Sequence, residues 1–259
     1  MTPNPILKVL SILNKYEVQY LLIGGQACII YGAAEFSRDS DFVIFSSPDN
    51  LARMRKALKA MKAGSIYVPP LDEKYLERGH ACHFRCGAID VKGLRIDVIA
   101  KMRGCDEFDI LWKRRKKLSL KKGVILNIIS LQDLVRSKKT QRDKDWLMLK
   151  RLVDNDIILK EYKASPGRIK WWFSECRNAD ILVELTKRYG TIAKESVKNR
   201  PLISSAIRSD KRVLLIKLNR EEAEERKKDI AYWLPLRKEL ETLRHENLGV
   251  RSKRDTSIA

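Results

Sequence analysis

The pair Gly24-Gly25 closes a hydrophobic stretch at 18–23 and is followed, after room for one short helix, by Arg38-Asp39-Ser40-Asp41 running into Phe42-Val43-Ile44-Phe45. Few arrangements accommodate that order of parts. On a strand, residues two apart point to the same face, so Asp39 and Asp41 present their carboxylates side by side. Such proximity is tolerable beside something strongly cationic, and hard divalent ions with oxygen ligands meet that need. The glycines lack a Cβ, so the backbone can turn sharply and a bulky anion can approach the peptide N–H groups where the next helix begins. The implied pair of ligands is a polyphosphate on one side and a metal on the other.

Further carboxylate chemistry depends on a third acidic residue, because a two-metal site needs a bridging pair and one further ligand. Two candidates lie on predicted strands or their turns, Asp90 in Ala88-Ile89-Asp90-Val91 and Asp97 in Arg95-Ile96-Asp97-Val98. Asp90 sits between Gly87 and Gly93, where aspartate is an ordinary turn residue. Asp97 lies within an alternating strand and is the expected ligand.

The pattern around these residues predicts an α/β (α+β) chain. Helical spacing is expected at 6–15, a helix after the glycines to about residue 31, and an amphipathic helix opened by Pro48 with Leu51, Met54, Leu58 and Met61 on one side. Strands are expected at 18–23, 39–45, 80–85, 94–100 and 124–129, with 63–79 reading as loop around Pro69-Pro70. From Ser130, expected as an N-cap, the chain reads as helical, with a basic helix running through Lys138 and Lys139 and another at 143–154. Pro166-Gly167 marks a break, Asn178 a cap, and 211–246 two charged helices separated at Pro235. The expected organisation is a mixed-sheet core at 1–129, a helical region at 130–250 (130–154 completing the site, 166–250 binding an acceptor or partner), and a disordered tail at 251–259.

Charge adds a class of partner. With 53 Lys and Arg against 33 Asp and Glu the formal charge is +20, which favours a polyanion, nucleic acid first. The run Lys113-Arg114-Arg115-Lys116-Lys117, followed by Lys121 and Lys122, concentrates charge suited to tracking a phosphate backbone. Trp171-Trp172 near Arg168 and Lys170 suggests a stacking platform, although tryptophans on an amphipathic helix are usually core. No apolar run is long enough to span a bilayer, and Met1-Thr2-Pro3-Asn4-Pro5 lacks a signal-peptide layout, so a cytoplasmic protein without membrane partners is expected. Five cysteines in such a chain predict reduced thiols. The cluster His80-Ala81-Cys82-His83-Phe84-Arg85-Cys86 holds zinc-type ligands, but strand alternation splits them between faces and no second ligand pair completes a tetrahedron, so a core-facing strand is expected there.

Gly24-Gly25, the spacing to Asp39-x-Asp41 and the later strand-borne Asp97 resemble the DNA polymerase β-type nucleotidyltransferase superfamily over residues 20–100. Phe108-Asp109-x-x-Trp112-x-x-Arg115, then Ile129-Ser130-Leu131-Gln132-Asp133-Leu134, a lysine-bearing helix and Arg142-Asp143-Lys144-Asp145 resemble bacterial small nucleotidyltransferases related to AbiEii-type toxins. The resemblance implies Asp39, Asp41 and Asp97 as catalytic residues holding two Mg²⁺ ions, with Mn²⁺ an alternative. It implies Gly24, Gly25, Lys138 (Lys139 in an alternative register) and Asp145 at the nucleotide. Relatives often carry Arg and Thr where this chain has Glu35 and Ser37, and Arg38 is read as supplying the charge. The implied reaction is transfer of NMP from an NTP, such as ATP, to an acceptor hydroxyl. RNA is the expected acceptor, in particular a tRNA 3′ end, in a toxin–antitoxin or phage-defence setting with a possible cognate antitoxin or other partner protein. Two alternatives remain open: AMP transfer to a partner protein, and a non-catalytic nucleic-acid-binding protein of the same fold.

Overall fold

The computed structural model describes residues 5–34, 36–120 and 123–255. The chain divides into two compact units. The first contains the described residues up to Ile30, Ala34–Ser137 and those from Ala231 onward; the second contains Tyr31–Ala33 and Lys138–Ile230.

The first unit is a mixed α/β layer. Its strands are β1 (Tyr20–Ile23), β2 (Asp39–Ile44), β3 (Gly64–Ser65), β4 (Cys82–Arg85), β5 (Arg95–Ile99), β6 (Lys116–Ser119) and β7 (Ile125–Ile128). They form one sheet in the order β3-β4-β5-β2-β1-β7-β6. The pairs β2–β5 and β1–β7 are parallel and the others antiparallel. The helices are α1 (Pro5–Lys15), α2 (Gly24–Ile30), α3 (Pro48–Ala60), α4 (Glu73–Arg78), α5 (Phe108–Arg114) and α6 (Leu131–Ser137).

β1 and β2 are central because they are the most continuously apolar. Tyr20, Leu21, Leu22, Phe42, Val43 and Ile44 are all buried, and the rings of Tyr20 and Phe42 meet edge-on at 5.4 Å. Each such side chain contributes roughly 1.5–3 kcal/mol by leaving water. Local chemistry then fixes the helix ends. Ser47 accepts a hydrogen bond from the Asn50 N–H with Pro48 in the first turn, and Asn50 in turn bonds Gln19 and the Phe45 carbonyl, tying α3 to the ends of β1 and β2. Asp72 and Gly79 cap α4, a helix within the stretch that reads as loop. Six residues are too few to show a helical period, so the caps were its only local signal.

The second unit comprises α7 (Asp143–Lys160), α8 (Pro166–Glu175), α9 (Ala179–Arg188), α10 (Gly190–Ser196), α11 (Ile203–Ile207) and the first part of α12 (Lys211–Asp255). The expected break falls just before Pro166, which itself begins α8, because Ser165 caps the helix and proline is at home in a first turn. Trp172 is fully buried and donates through Nε1 to Asp156 at 2.9 Å, so it is a core residue and not half of a stacking platform. Buried Arg200 latches the bundle by donating to the carbonyls of Phe173 and Cys176 and to Glu221.

Three expectations about the helical half are corrected. α6 stops at Ser137, leaving Lys138 and Lys139 outside it, and it belongs to the sheet unit, where buried Asp133 accepts a forked pair of bonds from Arg114. The segment from Lys211 is one helix that passes through Pro235. Tertiary contacts on either side of the proline outweigh its lost N–H: Asp229 accepts from the Gln141 N–H in the second unit, while Leu236 is buried and Glu239 meets His80 and Arg78 in the first. The backbone of residues 251–255, expected as disordered tail, continues this helix, since nothing in Arg251-Ser252-Lys253-Arg254 breaks it; residues 256–259 lie outside the described residues, as do Glu35, Lys121 and Lys122.

Because Pro235 is exposed within α12, Pro235→Ala restores a backbone donor without disturbing a core contact. The expected outcome is stabilisation of about 1–3 kcal/mol, read as a higher urea midpoint with an unchanged slope. A lower midpoint contradicts a continuous helix at this point.

Candidate active site

Sheet pairing decides which acidic side chains meet. β2 lies between β1 and β5, with Ile23 opposite Asp41 on one side and Asp97 opposite Asp41 on the other. Residues in register on paired strands share a face, and Asp39 lies two positions before Asp41. The three predicted carboxylates therefore stand on one face of two neighbouring strands. Ser40, between the first two, is wholly buried on the opposite face, and its hydroxyl has no hydrogen-bond partner among the described residues.

The turn from β1 into α2 passes directly against this acidic face. A Cβ added to Gly24 would fall 1.8 Å from Asp41 Oδ2, and the residue has φ +67°, so a side chain there meets both a clash and a strained backbone. A Cβ on Gly25 would fall 2.5 Å from Ser37 Oγ. The glycine pair thus has a structural reason beyond flexibility: it lets the first backbone amides of α2 approach the strand end carrying the carboxylates.

Asp97 has its own retinue. Its Oδ1 accepts from Arg95 Nε at 2.8 Å and lies 2.8 Å from His83 Nδ1, which donates when protonated there. Burial pushes the Asp97 pKa up, but the hydrogen bonds and charges of His83 and Arg95 outweigh it and hold the carboxyl below its ordinary value. Both bonds fall on Oδ1. Tyr67, 53% exposed, packs edge-on against His83 at 5.7 Å and has the Arg95 guanidinium 5.9 Å from its ring centre. Arg95 and His83 were not singled out as site residues. The signal for Arg95 was its position two before Asp97 on the same strand; His83 needed the antiparallel register of β4 with β5, which places it opposite Asp97.

Among the described residues no three His, Cys, Asp or Glu side chains already converge as a metal cluster. The expected ligand Asp97 is instead turned to Arg95 and His83. The donor chemistry nevertheless fits a hard cation: three carboxylates on one face, with the Asp41 carboxylate packed against the bare backbone of Gly24, where a Cβ would collide with it. Arg38 is exposed, with its guanidinium 6.0 Å from the ring centre of Phe36, itself 70% exposed.

Other predicted residues are differently engaged. Lys138 and Asp145 belong to the second unit, where they form a buried ion pair of 2.9 Å; Asp145 also accepts from Thr140 and Arg142. Burial pushes the Asp145 pKa up, yet the charges of Lys138 and Arg142 and the hydrogen bonds around it hold it below the usual carboxylate range. Lys139, the alternative, meets Glu175. In the basic run, Arg114 is bound to Asp133 and Asp106, and Arg115 bonds Asn127 with its guanidinium 3.7 Å from the Trp112 ring centre. Lys113, Lys116 and Lys117 are exposed, the last two on edge strand β6, where lysines also discourage edge-to-edge pairing. Asp90 is exposed and pairs with Lys8 at 3.0 Å. His80 meets Glu239, and Cys82 donates to the Pro70 carbonyl; burial raises the Cys82 and Cys86 thiols to about 12 and about 11. The run holding zinc-type ligands is thus distributed among separate contacts, with Cys82–Arg85 forming β4 as the expected strand.

Set against known proteins, the chain matches no protein-family model and no curated protein. No helix among the described residues is long and apolar enough to cross a membrane.

Two outcomes follow. Gly24→Ala is expected to cost about 1–2 kcal/mol from its left-handed backbone alone, with a further loss from displacing Asp41, measured by urea unfolding. Asp145→Asn leaves a buried ammonium without its counter-charge, and about 3 kcal/mol of stability is expected to be lost at pH 7. Since the folded-state pKa of Asp145 is depressed, its contribution is present above the unfolded carboxylate value of about 3.9 and disappears as pH falls through the folded value. The gap between wild type and variant is therefore expected to close on acidification.

Proposed function

We propose that the protein is a Mg²⁺-dependent nucleotidyltransferase that moves NMP from an NTP to an acceptor hydroxyl, with RNA, in particular a tRNA 3′ end, as acceptor. The observation that carries the reading is the register of Asp41 against Asp97 across β2 and β5, with Asp39 on the same face and Gly24 against the Asp41 carboxylate. Paired carboxylates beside a side-chain-free backbone turn suit a reaction in which polyphosphate and divalent metal must be brought together.

Asp39, Asp41 and Asp97 are the residues to hold the metal, which when bound supplies charge neutralisation at the phosphates and lowers the pKa of the attacking hydroxyl. The chain's own contribution is positioning. The amides of Gly24 and Gly25 accept the approach of the β- and γ-phosphates, and exposed Arg38 supplies cationic charge beside them. Arg95 and His83 fix the Asp97 carboxyl and keep it ionised, so it can take the acceptor's hydroxyl proton. The acceptor oxygen then bonds the α-phosphorus as the bond to the β-phosphate bridge breaks, and pyrophosphate leaves with its electron pair. Lys138 is engaged by Asp145, so phosphate binding is assigned here to the glycine turn and Arg38 rather than to that lysine.

The formal charge of +20 favours RNA over a protein acceptor. A cytoplasmic enzyme acting as a toxin or defence component, held in check by a cognate partner, fits that substrate. The test is incubation of the purified protein with each labelled NTP, Mg²⁺ and either total RNA or cell lysate. Label is expected in RNA, and Asp39→Ala or Asp41→Ala is expected to reduce transfer at least about a thousandfold while circular dichroism stays native. Label confined to protein bands selects AMP transfer to a partner. No transfer to either acceptor, with the Asp41→Ala variant indistinguishable, leaves the fold as a non-catalytic nucleic-acid binder.

A further inference from the structure

The second unit contains a cleft of about 700 Å³ walled by α8, α10 and the first part of α12. That volume suits a ligand of mononucleotide size. Seven basic side chains line it against four glutamates, a surplus of three positive charges.

Glu175, outside the lining, pairs with Lys139 and takes up one of these charges; the other two are not matched by separate carboxylates among the described residues. Arg200 and Arg177 share one carboxylate, with Glu221 Oε2 at 2.7 Å from Arg200 Nη2 and 3.5 Å from Arg177 Nη1. The Arg177 side chain is 9% exposed, lies 4.6 Å from the Trp146 ring centre and reaches the Leu218 carbonyl, and its Nε has no hydrogen-bond partner among the described residues. Burial and the neighbouring Arg200 charge hold its pKa below the usual arginine value, outweighing the charges of Glu221, Glu175 and Glu222. Lys217 donates to a neutral partner, the Ser205 hydroxyl at 3.0 Å, and Arg220 is exposed with no ion pair among the described residues. Lys170 and Lys228, by contrast, have Glu195 and Glu225 beside them.

A doubly or triply charged oxyanion supplies what this arrangement lacks: acceptors for forked guanidinium donors and neutralisation of a half-enclosed positive wall. We propose that this cleft is a phosphate-binding site, recognising the phosphate of a nucleotide-sized ligand or of an RNA strand. Every residue named lies in the second unit, and the proposal does not depend on the catalytic reading.

The experiment is isothermal titration of the full chain, at fixed ionic strength with EDTA present, using tripolyphosphate, ATP and a 5′-phosphorylated 12-nucleotide RNA. At least one probe is expected to bind saturably, and a Lys217→Glu/Arg220→Glu variant to bind it at least about tenfold more weakly with an unchanged thermal midpoint. A Lys56→Glu/Lys59→Glu variant on exposed faces of α3 changes the net charge equally and is expected to retain wild-type affinity. If the charge-reversed cleft proves unstable, Lys217→Gln serves in its place, with a loss in the same direction. Binding of tripolyphosphate and ATP identifies a small ligand; binding of RNA alone identifies a strand. The proposal is overturned if no probe binds saturably, if the cleft variants bind as wild type does, or if the α3 variant loses as much affinity as they do.

Discussion

The parallel pairing of β2 with β5 is the constraint on which the first unit depends. It sets Asp41 opposite Asp97 and Asp39 opposite Arg95, so the same ladder that builds the sheet determines both the carboxylate face and its counter-charge. A shift of one residue would send Asp39 and Asp41 into the core and bring Ser40 and Phe42 out. The apolar residues resist that shift: Phe42 and Ile44 are fully buried on the face where Ser40 lies, opposite the carboxylates. Hydrophobic burial thereby fixes the position of polar groups that contribute nothing to burial themselves.

The acid side chains were legible from sequence because strand alternation is a local rule, and Asp39, Asp41 and Asp97 each sit within recognisable strands. The partners of Asp97 were not equally legible. Arg95 lies on the same strand and is visible at spacing two, whereas His83 becomes a neighbour only through the β4–β5 register, a long-range pairing that no window on the sequence reports. The same distinction explains α12. Pro235 is a strong local signal to stop, yet the helix continues because contacts to Asp229 and Glu239, made with residues far away in sequence, stabilise both sides of it. Helix α4 shows the opposite case, with caps at Asp72 and Gly79 present locally but too little sequence between them to reveal a period.

Lysines and arginines in this chain divide by what surrounds them rather than by where they cluster. Arg114 and Arg115 belong to the densest basic run, yet one is bound by Asp133 and Asp106 and the other by Asn127 and the face of Trp112. Lys138 was expected at a triphosphate, but the carboxylate that suggested a site, Asp145, is itself the buried partner. A sequence count of positive charge records all of these alike. Only packing separates a cation whose charge is already matched from one whose charge remains available.

That separation changes what the charge of +20 means. Near neutral pH a buried pair such as Lys138–Asp145 adds nothing to the field felt outside, while Arg38 beside the carboxylate strand and Arg220 beside the shared Glu221 project theirs into solvent. The long-range attraction for a polyanion scales with the net charge, but the place where it comes to rest depends on local surplus and on donors that hold a phosphate at fixed geometry. The two sites proposed for this chain would serve that end by different physical devices: backbone made accessible by glycine at Gly24, and guanidinium groups sharing one carboxylate at Arg177. The first would accommodate an anion by removing a side chain, the second by sparing a counter-charge, and neither can be inferred from the other.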